Sequence, residues 1–141
     1  MSTEENKEFI RRGYKALNER NWTAFDALCA PDFVSHFGSM TMQGYDPYKQ
    51  FLSMYFAAFP DMHLGIEDII AEGDRVVVRL TFHGTHQAEL MGIAATGKQI
   101  SATGINIFRL ANGKAVEQWA NGDDLGLLQQ LGVVPAPGQT S

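Results

Sequence analysis

The stretch Glu72-Gly73-Asp74-Arg75-Val76-Val77-Val78-Arg79-Leu80-Thr81-Phe82-His83 decides the fold class. Val76, Val78, Leu80 and Phe82 alternate with Val77, Arg79, Thr81 and His83, which is the period of a strand with one face on a core. Glu72-Gly73-Asp74 joins this strand to an earlier extended run, Met62 to Ala71, as a hairpin. Further along, Asn112-Gly113 marks a second tight turn, between a strand ending near Leu110 and one running from about Lys114 to Asn121. The simplest arrangement is a four-stranded antiparallel meander.

Before Pro60 the apolar period is helical instead. Ser2 and Glu5 have the spacing of a capping box, and Phe9, Ile10, Gly13, Tyr14 and Leu17 follow at helical intervals. Asn21 caps a short second helix that carries Trp22, Phe25 and Leu28, with Pro31 just past its end and an extended segment from Asp32 to Phe37. Asp46-Pro47 reads as an N-cap with proline in the first turn, and Tyr48, Phe51, Leu52, Tyr55, Phe56 and Phe59 then form one apolar helical face. A last short helix carries Leu125, Leu127, Leu128 and Leu131, with Gly132 as its left-handed terminator and a loose tail from Val133 to Ser141. The expected fold class is α+β: a single domain over residues 1–141, a cone-shaped barrel with the N-terminal helices packed into a curved, mainly antiparallel sheet. A sheet curled over aromatic helix faces leaves an apolar funnel, where small ligands usually bind.

Composition narrows the function. The 141 residues suffice for one core, and 45% apolar with 19% charged residues is ordinary globular content. A formal charge of −5 without a Lys/Arg cluster argues against nucleic-acid or anionic-membrane partners. Cys29 is the only cysteine, which excludes an internal disulfide and multi-cysteine zinc sites and fits a reducing, cytoplasmic location. The polar start of the chain and the lack of any long apolar run give no membrane-spanning segment.

Trp119, Asn121 and Asp123 share one parity, so on a regular strand they point to one face, which Trp119 marks as the inner one. A carboxylate held there loses water, its pKa rises, and it becomes a better general base near neutral pH. The competing reading is structural: Asp123 or Asp124 caps the helix that begins near Leu125. The histidines at 36, 63, 83 and 86 form no compact ligand pair, so no metal is expected. His83 and His86 bracket a strand end near the funnel mouth, and His36 lies among Phe33, Val34 and Phe37; a satisfied structural histidine is the alternative for each. Cys29 falls in an apolar helix, and no Gly-x-Ser-x-Gly elbow or Gly-rich phosphate loop is present, so nucleophilic catalysis and nucleotide cofactors have no visible apparatus.

Several stretches in order carry a family resemblance: Asn18 to Trp22, Asp32-Phe33-Val34-Ser35-His36, Ala58-Phe59-Pro60-Asp61, and Gly84-Thr85-His86 on through Glu89, Gly92, Thr96 and Gly97. The most specific is Gly113-Lys114, Glu117-x-Trp119-x-x-x-Asp123, then Gln130-Leu131-Gly132. Together they resemble the SnoaL-like polyketide cyclases of the nuclear-transport-factor-2-like fold. The resemblance covers nearly the whole chain and implies a helix-lined cone, a homodimer or homotetramer, and chemistry without metal or cofactor. It also implies that Asp123 is the general acid/base of an intramolecular aldol ring closure on a small apolar carbonyl or aromatic ligand. Trp119, His36, His86, Tyr14, Phe51, Asn106, Asn121 and Arg109 are the candidate substrate-binding residues. Where some cyclases place tyrosine, asparagine and histidine around the substrate, this chain has Leu17, Phe51 and Arg109. The alternatives are an isomerase, dehydratase or hydrolase of the same fold, and a non-catalytic hydrophobic-ligand binder or oligomerisation domain.

Overall fold

Ser2 and Glu5 close a reciprocal capping box that starts α1 (Thr3–Asn18) in the computed structural model, which describes residues 2–135 and 138. Phe9, Ile10, Tyr14, Ala16 and Leu17 form the buried stripe of α1. Asn21 accepts the Ala24 N–H and caps α2 (Trp22–Leu28). The chain then passes directly into β1 (Cys29–Phe37), so Cys29 opens a strand and does not lie within a helix.

A short strand absent from the sequence reading, β2 (Met40–Gln43), turns back on β1, and α3 (Tyr45–Ala58) follows. Its N-cap is Gly44 at φ 95° with no side-chain cap, so Asp46 and Pro47 both fall in the first turn rather than at the boundary. A positive φ is open to glycine at little cost, and Gly44 spares the helix the strain that a side chain would bring there.

The hairpin β3 (His63–Glu72) to β4 (Arg75–Thr85) turns at Gly73, φ 58°, and β5 (Gln99–Ala111) to β6 (Lys114–Gly122) turns at Asn112-Gly113. The expected meander is present but is only part of the sheet, whose order is β2-β1-β6-β5-β4-β3. The reason is a parallel pairing of β1 with β6, in which Val34 lies opposite Glu117 and His36 opposite Trp119. This mixed, mostly antiparallel sheet is curved and unclosed, and four helices complete an α+β cone. Helix α4 (Asp124–Gln130) ends the fold, with Gly132 at φ 81° behind it. Of the expected loose tail, residues 136, 137 and 139–141 lie outside the described residues.

The inner face of the sheet carries Phe33, Val76, Val78, Leu80, Ile100, Phe108 and Leu110, all buried in one apolar core with the stripes of α1 and α3. Each large apolar side chain removed from water in this way contributes about 1.5–3 kcal/mol before chain entropy is subtracted. No helix among the described residues is long and apolar enough to cross a membrane.

Candidate active-site cavity

The helices and the inner sheet face enclose about 150 Å³ of free space, bounded by Phe9, Leu17, Phe33, Leu52, Leu80 and Phe108 among others. A cavity of about that size takes a benzene-sized molecule when its walls are apolar. Four polar side chains interrupt these walls: Tyr14 of α1, Tyr48 of α3, Asn106 of β5 and Gln118 of β6. The Asn106 side-chain N–H donates to the Tyr14 hydroxyl at 2.9 Å, and Ser35 donates its hydroxyl to Gln118 Oε1 at 2.9 Å. Burial pushes the Tyr14 and Tyr48 phenols up, while the side-chain amides of Asn106 and Gln118 hold them back in part. Burial also pushes the Cys29 thiol, another wall residue, up to about 12, so it remains protonated and is no nucleophile.

In the cavity wall Phe37 packs edge to face on Phe51 at 5.0 Å, and Phe51 in turn packs on Tyr55 at 5.3 Å. Asp124, which follows β6, lies near Tyr55. Burial and the charge of Asp124 push the Tyr55 phenol up to about 12. The Asp124 carboxyl is itself raised, first by burial and then by the charge of Asp123. Asp123 is exposed and accepts the Gly126 N–H at 2.9 Å, so it is the N-cap of α4.

The expected inner parity of β6 is corrected by one residue. Gln118 and Ala120 face the cavity, whereas Trp119 lies on the outer face of the sheet. Its indole is stacked on the His36 ring, 5.4 Å between centroids and 17° between planes, with the Arg75 guanidinium over it at 4.9 Å. Tryptophan is large and amphipathic, so it occupies an outer sheet face as readily as an inner one when a cation and a second ring cover it. Asn121 is likewise outward and exposed.

Tyr14, Phe51 and Asn106 therefore line the cavity, while Trp119, His36, Arg109, Asn121 and His86 do not. His36 and Arg109 converge on Glu117 of the outer face, with His36 Nε2 at 2.7 Å and Arg109 Nε donating at 3.1 Å. The His36 hydrogen bond is the main cause that holds the Glu117 carboxyl below its usual range, followed by Arg109. His86 is fully buried, close to Phe59, with Nδ1 accepting the Thr96 N–H at 3.2 Å and Nε2 without a partner. His83 is exposed at the end of β4. Leu17 and Phe51 do stand in the cavity wall, so these two positions are apolar there.

Tyr48 and Gln118 are the cavity residues that sequence reasoning passed over. Gln118 carried a signal, because it is the polar residue on the parity of Ala120, and its partner Ser35 shares the parity of Phe33 and Phe37. Among the described residues no group of three or more His, Cys, Asp or Glu is arranged to hold a metal ion.

The profile of the SnoaL-like polyketide cyclase family matches residues 8–131. The chain belongs to this family. Among solved structures similar to this SnoaL-like domain is AclR, a proposed hydroxylase from Streptomyces galilaeus, at 31% identity and TM-score 0.88, covering 98% of this chain and 87% of AclR. IdmH, a proposed polyketide cyclase from Streptomyces antibioticus, is 32% identical at TM-score 0.78, covering 90% of this chain and 98% of IdmH. TsrD from Streptomyces laurentii is 25% identical at TM-score 0.85, covering 95% and 99%. No curated protein matches the chain.

Proposed function

We propose that this SnoaL-like domain binds a small, mainly apolar carbonyl compound in its interior cavity and turns it over by general acid/base chemistry without a cofactor, as an intramolecular aldol-type ring closure. The observation that carries this reading is an apolar cavity of about 150 Å³ whose wall includes the polar side chains of Tyr14, Tyr48, Asn106 and Gln118. Asp123, at the family's acid/base position, takes a proton from the carbon beside a carbonyl. The resulting enolate carbon attacks a second carbonyl in the same molecule, a C–C bond forms, and the new alkoxide accepts a proton. Asp124 suits that last step, because burial and the neighbouring charge keep its carboxyl protonated to higher pH than usual. The cavity volume restricts the bound portion to about one ring.

The exposed, capping Asp123 favours a second reading, a binder of hydrophobic ligands with no turnover. Asn caps a helix as well as Asp does, so Asp123→Asn preserves the fold and isolates the chemistry. Single-ring dicarbonyl compounds are the substrates to offer to wild type, Asp123→Asn and Asp124→Asn. Turnover by wild type that both variants lose supports the enzyme; binding without turnover by any of the three leaves only the binder.

The assembly we propose is a homodimer or homotetramer joined through the outer sheet face, where Ile70 and Ile105 are 62% and 51% exposed. Light scattering on wild type and Ile105→Glu tests it, and a wild-type monomer rules it out.

A further inference from the structure

His63 and His83 lie far apart in the sequence, but the pairing of β3 with β4 sets them directly opposite each other at the end of the hairpin away from its turn. A bulge makes this so. From Glu72 opposite Arg75 to Asp68 opposite Arg79 the hairpin keeps one register; past the extra residue, Glu67, Ile66 lies opposite Leu80 and His63 opposite His83. Without Glu67 the first register would carry on, set His63 opposite Gly84 and turn it to the inner face. Instead Leu64 and Phe82 pack on the core, and both histidines are exposed on the outer face. Asn18 bonds the N–H and the carbonyl of Leu64 on the open edge of β3, so the backbone polar groups of His63 turn toward β4. Such a pair has its Cα atoms about 5.5 Å apart. That is close to the spacing of neighbours one helical turn apart, at which two histidines bind zinc. Gly65, next on the same face of β3, has no side chain to cover the pair. The bulge turns both Glu67 and Asp68 outward. Asp68 takes the Arg79 guanidinium at 2.6 Å, and Glu67 leans over Gly65, its Oε1 3.9 Å from where a Cβ would stand. Asp61, in a groove with His83, is held by the Thr85 N–H and hydroxyl, both at 2.7 Å.

We infer that His63 and His83 form a surface site for one divalent transition-metal ion of the zinc(II) kind, with water completing its shell and Glu67 adding negative charge on the same face. The ligand pair that no single helix of this chain holds is assembled across two strands. Imidazole nitrogen suits zinc, copper and nickel, whereas magnesium and calcium need oxygen ligands. Two protein ligands fit the finding that, among the described residues, no third His, Cys, Asp or Glu completes a metal-holding group. The consequence is mechanical, because β3 is an edge strand of the sheet. An ion shared by His63 and His83 ties that edge to β4, and it favours the folded chain, in which the two rings are held side by side. Neither histidine lines the interior cavity, so the ion takes no part in the chemistry proposed there.

The test is calorimetric titration of the tag-free chain with zinc chloride at about pH 7.5, where an ordinary imidazole is neutral, with magnesium chloride as the control ion. Wild type is expected to bind one zinc ion per chain at this site and no magnesium. His63→Gln and His83→Gln should each lose about tenfold or more in zinc affinity, since either one leaves a single ligand where two acted together. His36→Gln, on the same sheet face but on β1, should stay within about twofold. Both substituted side chains are exposed, so the variants keep the fold, which circular dichroism checks. Zinc should also raise the urea midpoint of wild type and move that of His63→Gln or His83→Gln much less. A wild type that takes up no zinc overturns the site. So does zinc affinity that survives either substitution of the pair, or that is lost in His36→Gln instead.

Discussion

The Asp123 carboxylate accepts the Gly126 N–H at 2.9 Å, so the residue proposed above as the acid/base is also a helix cap. Asp123→Ala is expected to cost about 1 kcal/mol in urea unfolding, and Asp123→Asn only a few tenths. Turnover should separate the two roles differently, since both variants lose the carboxylate. A variant that is stable yet inactive marks the acid/base role, and one that is destabilised yet active marks the cap alone.

Asp124 has the opposite signature. Its folded-state pKa is raised, so between the ordinary carboxylate value of about 3.9 and that raised value the folded chain binds the proton more than the unfolded chain. Stability contributed by this group therefore falls as pH rises through that window. Asp124→Asn should raise the urea midpoint at neutral pH, and the gain should vanish on acidification below about pH 4.

For Glu117 the sign reverses. His36 foremost, and Arg109 after it, hold the Glu117 carboxyl below the usual range, so its stabilisation is fully present above about pH 4.3 and is lost as pH falls through the folded-state value. Glu117→Gln should lower the urea midpoint at neutral pH, with the difference from wild type shrinking as the solution is acidified. A constant difference from neutral pH to pH 3 would mean that the ion pair contributes nothing through charge.

Two glycines should respond in opposite directions to alanine. At Gly84 an added Cβ would stand 3.0 Å from the Cβ of Phe59, which is fully buried and has nowhere to go. Gly84→Ala is expected to cost about 1–3 kcal/mol as overpacking. At Gly13, inside α1, the nearest atoms would be Leu28 Cδ1 at 3.9 Å and Phe25 Cε1 at 4.0 Å, ordinary contact. Gly13→Ala should stabilise by about 1 kcal/mol through helix propensity, and thermal unfolding of both variants checks the pair.

Local signals carried most of the fold. The capping box at Ser2 and Glu5, the turn at Asn112-Gly113 and the alternation from Val76 to Phe82 each bind a few neighbouring residues to one conformation, and each appears in the structure as read. The pairing of β1 with β6 joins residues about eighty positions apart and has no local signature, so the sheet came out two strands short. Within the site, Tyr14 and Asn106 were legible as polar residues on core-facing elements. Trp119 misled because bulk was equated with burial, and the error shifted the parity of β6 by one, hiding Gln118. Tyr48 was hidden among four other aromatics on α3, where nothing in the spacing distinguishes a ring that lines the cavity from one that only packs.

The β1–β6 pairing also fixes when the cavity can exist during synthesis. Gln118 and Ala120 belong to the last strand made, and β1 waits for that strand while more than half the chain is translated. Until then the aromatic faces of α1 and α3 lack part of their covering wall, and no ligand can assist folding from within. Products truncated before β6 should bind hydrophobic dyes and clump.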